Sequence, residues 1–157
     1  MQFFEKSLKI ARERGNRYNE SSQLDHIGLV HFSLGNYMTA IEFHSQALNI
    51  SREIGDRCGE STSLGNLGLA FSKIDQHQTA IEFYRQQLTI AREIGDPQNE
   101  GISLSNLGKS YIKTHGVQKA CEYWRKALNI FESMGLPQAE TVRGWMQEAG
   151  CVDNGEL

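Results

Sequence analysis

Apolar residues between positions 57 and 95 fall into two stripes of helical period. Leu64, Leu67, Gly68 and Phe71 lie within ~100° of arc at 100° per residue, and Ala80, Phe83, Tyr84 and Leu88 form a second stripe. Each stripe marks an amphipathic helix with one face to bury. The polar punctuation agrees. Asp56 and Asp96 stand where a carboxylate accepts from the free amides of a first helical turn, and Pro97 follows at a position whose missing N–H does no harm. Gly55, Gly95 and Gly135 stand where a helix ends on a left-handed residue. The same reading along the chain predicts helices near 1–14, 17–34, 37–54, 57–74, 77–94, 97–113, 117–134 and 138–149. The connections are too short for anything but antiparallel neighbours.

Fifteen glycines are hard to reconcile with so much helix until their spacing is read. Gly15, Gly55, Gly95 and Gly135 are 40 residues apart, as are Gly28, Gly68 and Gly108. Residues 40–56 and 80–96 are identical at 12 of 17 positions without a gap. The chain is therefore an internal repeat of helix pairs, in which no unit can bury its apolar face alone. Gly28, Gly68 and Gly108 lie inside the apolar arc, so a partner helix can approach closely there, and Ala40, Ala80 and Ala120 are the expected small counterparts. Gly65 is expected a quarter turn off the packed stripe.

The series Leu64-x-x-Leu67-Gly68-x-x-Phe71 with Ala80-x-x-x-Tyr84 returns as Leu104-x-x-Leu107-Gly108-x-x-Tyr111 with Ala120-x-x-x-Trp124. This pattern resembles the tetratricopeptide repeat. The first unit keeps Leu24, Ile27, Gly28, Ala40 and Ala47 but places His31 and His44 at aromatic positions, where they read as packed, hydrogen-bonded core residues. The Gly-Asp junctions and the Asn-Leu-Gly triplets resemble long repeats of the Pins and kinesin-light-chain type, also common in bacterial scaffolds. The resemblance implies an all-α, right-handed superhelical solenoid of antiparallel helix pairs, with about eight helices. The units are a half repeat at 1–15, repeats at 16–55, 56–95 and 96–135, and a capping helix at 137–149, together one domain over 1–150 with a flexible tail at 151–157. In the cap, Met146 takes the place of the glycine, as suits a terminal helix with no partner to receive.

Charge and chemistry narrow the function by subtraction. Sixteen basic against nineteen acidic residues give a net charge of −3, which provides no global field for nucleic acid or an anionic membrane. No apolar run approaches the ~18–20 residues of a membrane span. Cys58, Cys121 and Cys151 are odd in number and widely spaced, so they read as reduced thiols of a cytoplasmic protein, with Cys121 packed as a small apolar residue. No nucleophile elbow, phosphate loop or zinc-binding H-E-x-x-H is present, so no catalytic residue, metal ligand or cofactor is expected.

What remains is a surface. Turning the first helix of each pair away from its core stripe brings up Ser22, His26, Leu29 and Ser33, then Thr62, Asn66, Leu69 and Lys73, then Ile102, Asn106, Lys109 and Lys113. The family resemblance sets these rows side by side on a concave wall that holds a protein or peptide ligand. The candidate peptide-binding residues are His26, Leu29, Thr62, Asn66, Leu69, Lys73, Asn106, Lys109 and Lys113. An asparagine amide offers donor and acceptor together and so matches any peptide backbone, while the lysines favour an acidic group. At the N-terminus, residues 1–14 repeat the second helix of a pair without a first, so Phe3 and Phe4 either pair with a second copy of the chain or belong to a longer array.

Overall fold

A computed structural model describes residues 2–151. Its elements are α1 (Gln2–Glu13), α2 (Arg17–Ser33), α3 (Tyr37–Ile54), α4 (Arg57–Lys73), α5 (His77–Ile94), α6 (Pro97–Thr114), α7 (Val117–Ser133) and α8 (Gln138–Glu148). Each boundary lies within one residue of the sequence expectation. The expected caps form. Asp56 and Asp96 accept from the backbone N–H of Gly59 and Asn99 at 3.0 Å, and Asn16, which the sequence reading did not single out, caps α2 in the same way through the Asn19 N–H at 3.0 Å. Gly55 (φ 70°) and Gly95 (φ 67°) close α3 and α5 in the left-handed region, where a side chain would be strained. Every helix packs on the next, and α2, α4 and α6 also touch in succession, so the chain is an all-α solenoid of stacked helix pairs.

The core repeats one contact. A Cβ added at Gly28 would lie 2.6 Å from the His44 ring, at Gly68 2.5 Å from the Tyr84 ring, and at Gly108 2.3 Å from the Trp124 ring. The space the glycines leave is therefore filled by the aromatic residue four places after the expected alanine. Ala40, Ala80 and Ala120, one turn earlier on the same helices, are fully buried. Gly65 departs further from expectation. It is buried, and a Cβ there would lie 2.5 Å from the Gln87 amide, because the partner helix covers a wider arc than the apolar residues alone trace. A second aromatic contact recurs beside the first. His31 stacks on Phe43, Phe71 on Phe83 and Tyr111 on Tyr123, with ring centres 5.4, 5.3 and 4.9 Å apart.

Two of the three buried rings have a polar partner. His44, fully buried, meets Asp25 at 2.6 Å through Nδ1, and the other oxygen of Asp25 accepts from Ser63 at 2.7 Å. In the third unit Trp124 donates its indole N–H to the Ser105 carbonyl at 3.1 Å. Tyr84 is held well above its ordinary pKa by burial. Ser63, on α4 of the second unit, bonds the carboxylate and not the imidazole, so these residues pin α2, α3 and α4 together and do not form a nucleophile relay.

A charged ladder repeats along the helix junctions. Arg12 and Arg17 both bond Glu20, and Arg17 also reaches Glu53. Forty residues on, Arg52 and Arg57 bond Glu60, and Arg57 reaches Glu93. Arg92 then bonds Glu100. At the last junction Glu132 replaces the arginine, and Arg143 of α8 pairs with both Glu132 and Glu140. Burial pushes the Glu20 carboxyl up, but the Arg12 and Arg17 guanidiniums together outweigh it and hold it below the usual carboxylate value.

The C-terminal region corrects one expectation. Cys121, in the first turns of α7, and Cys151, just after α8, form a disulfide with Cα atoms 5.6 Å apart, leaving Cys58 as the free, exposed thiol. Antiparallel packing of α7 and α8 brings together two residues 30 apart, which a reading of linear spacing does not see. Cys151 is therefore tied down and not part of a loose tail; the rest of that expected tail, 152–157, lies outside the described residues. Closing such a loop is worth about 3.6 kcal/mol in the chain-entropy account. Ala139, Val142 and Met146 of α8 are buried against the last pair, as a capping helix requires.

Two predictions follow from this packing. Gly108→Ala forces Cβ into the Trp124 ring and should lose about 1–3 kcal/mol, whereas nothing lies within 4 Å of a Cβ at Gly144. Gly144→Ala should therefore gain up to about 1 kcal/mol of helix propensity. Thermal melting should rank Gly144→Ala above the wild type and Gly108→Ala below it. The second prediction concerns acid. A carboxyl lowered in the folded state contributes stability that is complete above the unfolded value, about pH 4.3, and is lost as pH falls through the folded value. Glu20→Gln should thus be less stable than the wild type near neutrality and converge with it on acidification, as read from urea midpoints across the range.

Candidate functional site

The outward rows sit where helical geometry placed them, on the faces of α2, α4 and α6 that point away from the second helices. His26, Leu29, Thr62, Leu69, Lys73, Lys109 and Lys113 are exposed, and Asn66 and Asn106 are half-buried. Because α2 touches α4 and α4 touches α6, the three rows form one surface.

Its two ends differ. Between α2 and α4 lies a cleft of about 240 Å³, lined by Tyr18, Ser22, His26 and Leu29 on one side and Cys58 and Thr62 on the other. Local hydrogen bonds already occupy part of this lining. Thr62 donates its hydroxyl to the Cys58 carbonyl at 3.0 Å, and His26 Nδ1 lies 2.8 Å from the Ser22 carbonyl. The Phe4 ring stacks on His26 with centres 5.2 Å apart and planes 1° from parallel, so α1 contributes to this end. Phe4 is thereby covered by its own chain while Phe3 remains 74% exposed.

The other end is basic and aromatic. The Lys109 ammonium sits 3.7 Å from the centre of the Trp145 indole ring, and that ring lies 6.2 Å from Trp124 in the core. Burial, and then the nearby charge of Lys73 on the preceding row, lower the pKa of Lys109 from the ordinary lysine value. The capping helix α8 thus extends the surface beyond the three rows. Midway between the ends, the side-chain Nδ2 of Asn66 is shielded from solvent and has no hydrogen-bond partner. An amide donor left in that state is costly unless something else supplies an acceptor.

Sequence reasoning missed Tyr18, Cys58 and Trp145. The first two were legible, since Tyr18 and Cys58 precede Ser22 and Thr62 by four residues and continue the same arc by one turn. Trp145 was not, because its place beneath Lys109 depends on how α8 docks. Among the described residues there is no cluster of three or more His, Cys, Asp or Glu arranged to hold a metal, and no helix is long and apolar enough to cross a membrane.

Comparison with known proteins agrees with this architecture. The family model for the tetratricopeptide repeat matches residues 18–93. No curated protein matches the chain in sequence. Among solved structures, BtubC from P. vanneervenii superposes with a TM-score of 0.76 at 18% identity, covering 90% of this chain and 60% of its own. A signal-transduction ATPase from Pyrococcus horikoshii with a tetratricopeptide repeat sensor gives 0.80 at 23% identity over 88% of this chain and 22% of its own. A Rap protein complexed with Competence and Sporulation Factor gives 0.73 at 17% identity, over 80% of this chain and 35% of its own. The chain thus spans less than two thirds of the length of these structures, and at such identities the likeness is one of fold.

The electrostatics of the basic end give a direct test. Lys73→Ala should raise the pKa of Lys109 towards the ordinary lysine value, seen as an upward shift in the pH midpoint for amine labelling of Lys109 followed by mass spectrometry. An unmoved midpoint would show that the two ammonium groups do not sense each other.

Proposed function

The chain is a tetratricopeptide-repeat protein, and on that premise we propose that it is a non-enzymatic scaffold whose joined rows on α2, α4 and α6 hold an extended peptide segment of another protein. The observation that carries this reading is Asn66, whose Nδ2 is shielded and unpaired on the one outward surface shared by all three repeats. A peptide carbonyl would supply the acceptor it lacks. Asn106, one repeat on, would act as the second backbone clamp. Leu29 and Leu69, 42% and 38% exposed, give apolar side chains of the ligand something to cover. Lys73, Lys109 and Lys113 favour an acidic residue or a terminal carboxylate at the α8 end. The Rap structure, which carries a bound factor, lends general support to a binding role for this fold.

Self-association through Phe3 and Phe4 is the alternative, favoured by the exposure of Phe3 and weakened by the stacking of Phe4 on His26. The disulfide removes the thiol argument for a cytoplasmic protein, and the proposal carries no compartment.

The test begins with partners retained by the immobilised chain and identified by mass spectrometry, each then titrated against variants at two salt concentrations. Asn66→Ala and Asn106→Ala should leave the melting temperature within the usual ~0.5 kcal/mol of a surface substitution. Each should raise the dissociation constant roughly five- to 150-fold, the equivalent of about 1–3 kcal/mol for a ligand group left unpaired. Lys109→Glu should instead slow association and reduce its salt dependence. Unchanged affinity in both asparagine variants would move the binding surface to the convex side or to α1.

A further inference from the structure

The second helices of the pairs carry a surface of their own, on the other side of each pair from the groove, and there charge breaks the repeat. In the second unit Phe83 has Thr79 one turn before it and Gln86 three places after it, and Ser45 stands at the equivalent of residue 85 on the preceding second helix. The first unit carries the same Thr39, Phe43 and Gln46. One repeat on, Phe83 becomes Tyr123, Thr79 becomes Lys119, Gln86 becomes Lys126 and Ser45 becomes Arg85. Three neutral positions thus turn cationic at one junction, that between α5 and α7. Both of these helices belong to complete pairs.

The fold gathers the three cations around one pair of rings. Lys119 and Lys126 each hold the ammonium 5.7 Å from the centre of the Tyr123 ring, which stacks on Tyr111 with centres 4.9 Å apart. Arg85 reaches across from α5, with its guanidinium carbon 5.9 Å from the centre of the Tyr111 ring and one nitrogen donating to the Tyr111 hydroxyl. Gln86, the counterpart of Lys126, accepts from Arg52 at 2.9 Å, so Lys126 stands at the position that faces Arg92, a further cation already bonded to Glu100.

Negative charge does not keep pace. Lys119 pairs with Glu122 at 2.7 Å, and that carboxyl is held below its usual value first by Lys119 and then by the charges of Lys126 and Arg125. Arg85 and Lys126 form no ion pair among the described residues, and Glu82, three places before Arg85, does not reach it. A ring face holds an exposed cation by only ~0.5–1 kcal/mol, so these groups remain open to a carboxylate, the stronger partner.

We propose that this ring-backed basic patch between α5 and α7 docks an acidic segment of a partner polypeptide, whose carboxylates meet Arg85, Lys119 and Lys126 beside the Tyr123 ring. Charge complementarity argues for this occupant, because the chain as a whole carries −3 and the patch is a local reversal of that sign. The cations come from two helices and surround two rings, which suits several carboxylates along a chain better than one small anion. The patch is separate from the groove, and either surface can fail without the other.

A hexaglutamate peptide is titrated into the isotope-labelled full chain and followed by backbone amide chemical shifts, with affinity read from the anisotropy of a fluorescent copy. Saturable shifts are expected at Lys119, Tyr123 and Lys126. Lys126→Glu should weaken the binding at least about tenfold, and Lys126→Gln, which restores the residue of the other units, should weaken it less. Raised salt should weaken it as well. Lys109→Glu, on the groove, should leave the shifts at α7 in place. Lys126 is exposed, so its variants should fold, which melting verifies. Absence of saturable shifts at these three residues overturns the proposal, and so do shifts that Lys126→Glu leaves intact. Shifts confined to α6 and lost in Lys109→Glu would put the peptide on the groove and also overturn it. Equal saturation by inorganic phosphate, or by vesicles of anionic lipid at the same charge concentration, would make the patch a general anion site and overturn its assignment to a polypeptide.

Discussion

A planar ring seated in the gap left by a glycine on the facing helix is the contact on which the rest of the structure depends. It recurs as His44 on Gly28, Tyr84 on Gly68 and Trp124 on Gly108. Because the ring atoms would lie within about 3 Å of any added Cβ, the two helices of a pair have one register and one separation. Once that register is set, the stacked ring pairs beside it and the buried serines beyond it fall into place. The faces of α2, α4 and α6 that point the other way are released from packing, and a surface free of structural duty is a precondition for binding.

The repeat is uniform in backbone and varied in polar chemistry. A histidine in the first ring position needs a partner once it is buried, and Asp25 with Ser63 supplies one across two helices. The tryptophan of the third unit uses a backbone carbonyl for the same purpose. The arginine and glutamate ladder follows the same logic. Its period holds through Arg92 and Glu100, and where Glu132 reverses the sign at the last junction, Arg143 supplies the compensating charge from the capping helix. α8 packs Val142 and Met146 on the last pair and is tied to α7 by a disulfide, while α1 presents Phe3 and Ile10 to solvent.

The proposed binding surface joins elements that no single repeat contains. Tyr18 and His26 come from α2, Cys58 and Thr62 from α4, Lys109 from α6 and Trp145 from α8. Lys109 links this surface to the cap, since its charge rests on an indole whose other neighbour is the core residue Trp124.

Much of this was legible in the chain. The 40-residue period, the helix limits, the caps at Asp56 and Asp96 and the direction of Asn66 and Asn106 all follow from local rules, because capping, helical phase and left-handed glycine depend on residues within a turn or two of one another. Other features waited on tertiary structure. The occupant of each glycine gap, the burial of Gly65 under Gln87, the pairing of Asp25 with His44 and Ser63, the disulfide between Cys121 and Cys151 and the place of Trp145 under Lys109 were decided only when separate helices met. Their physical reason is common. Each is a contact between residues 16 or more apart in the chain, whose distance is set by the angle and separation at which two helices pack, and a linear pattern carries the phase of each helix but not the distance between two.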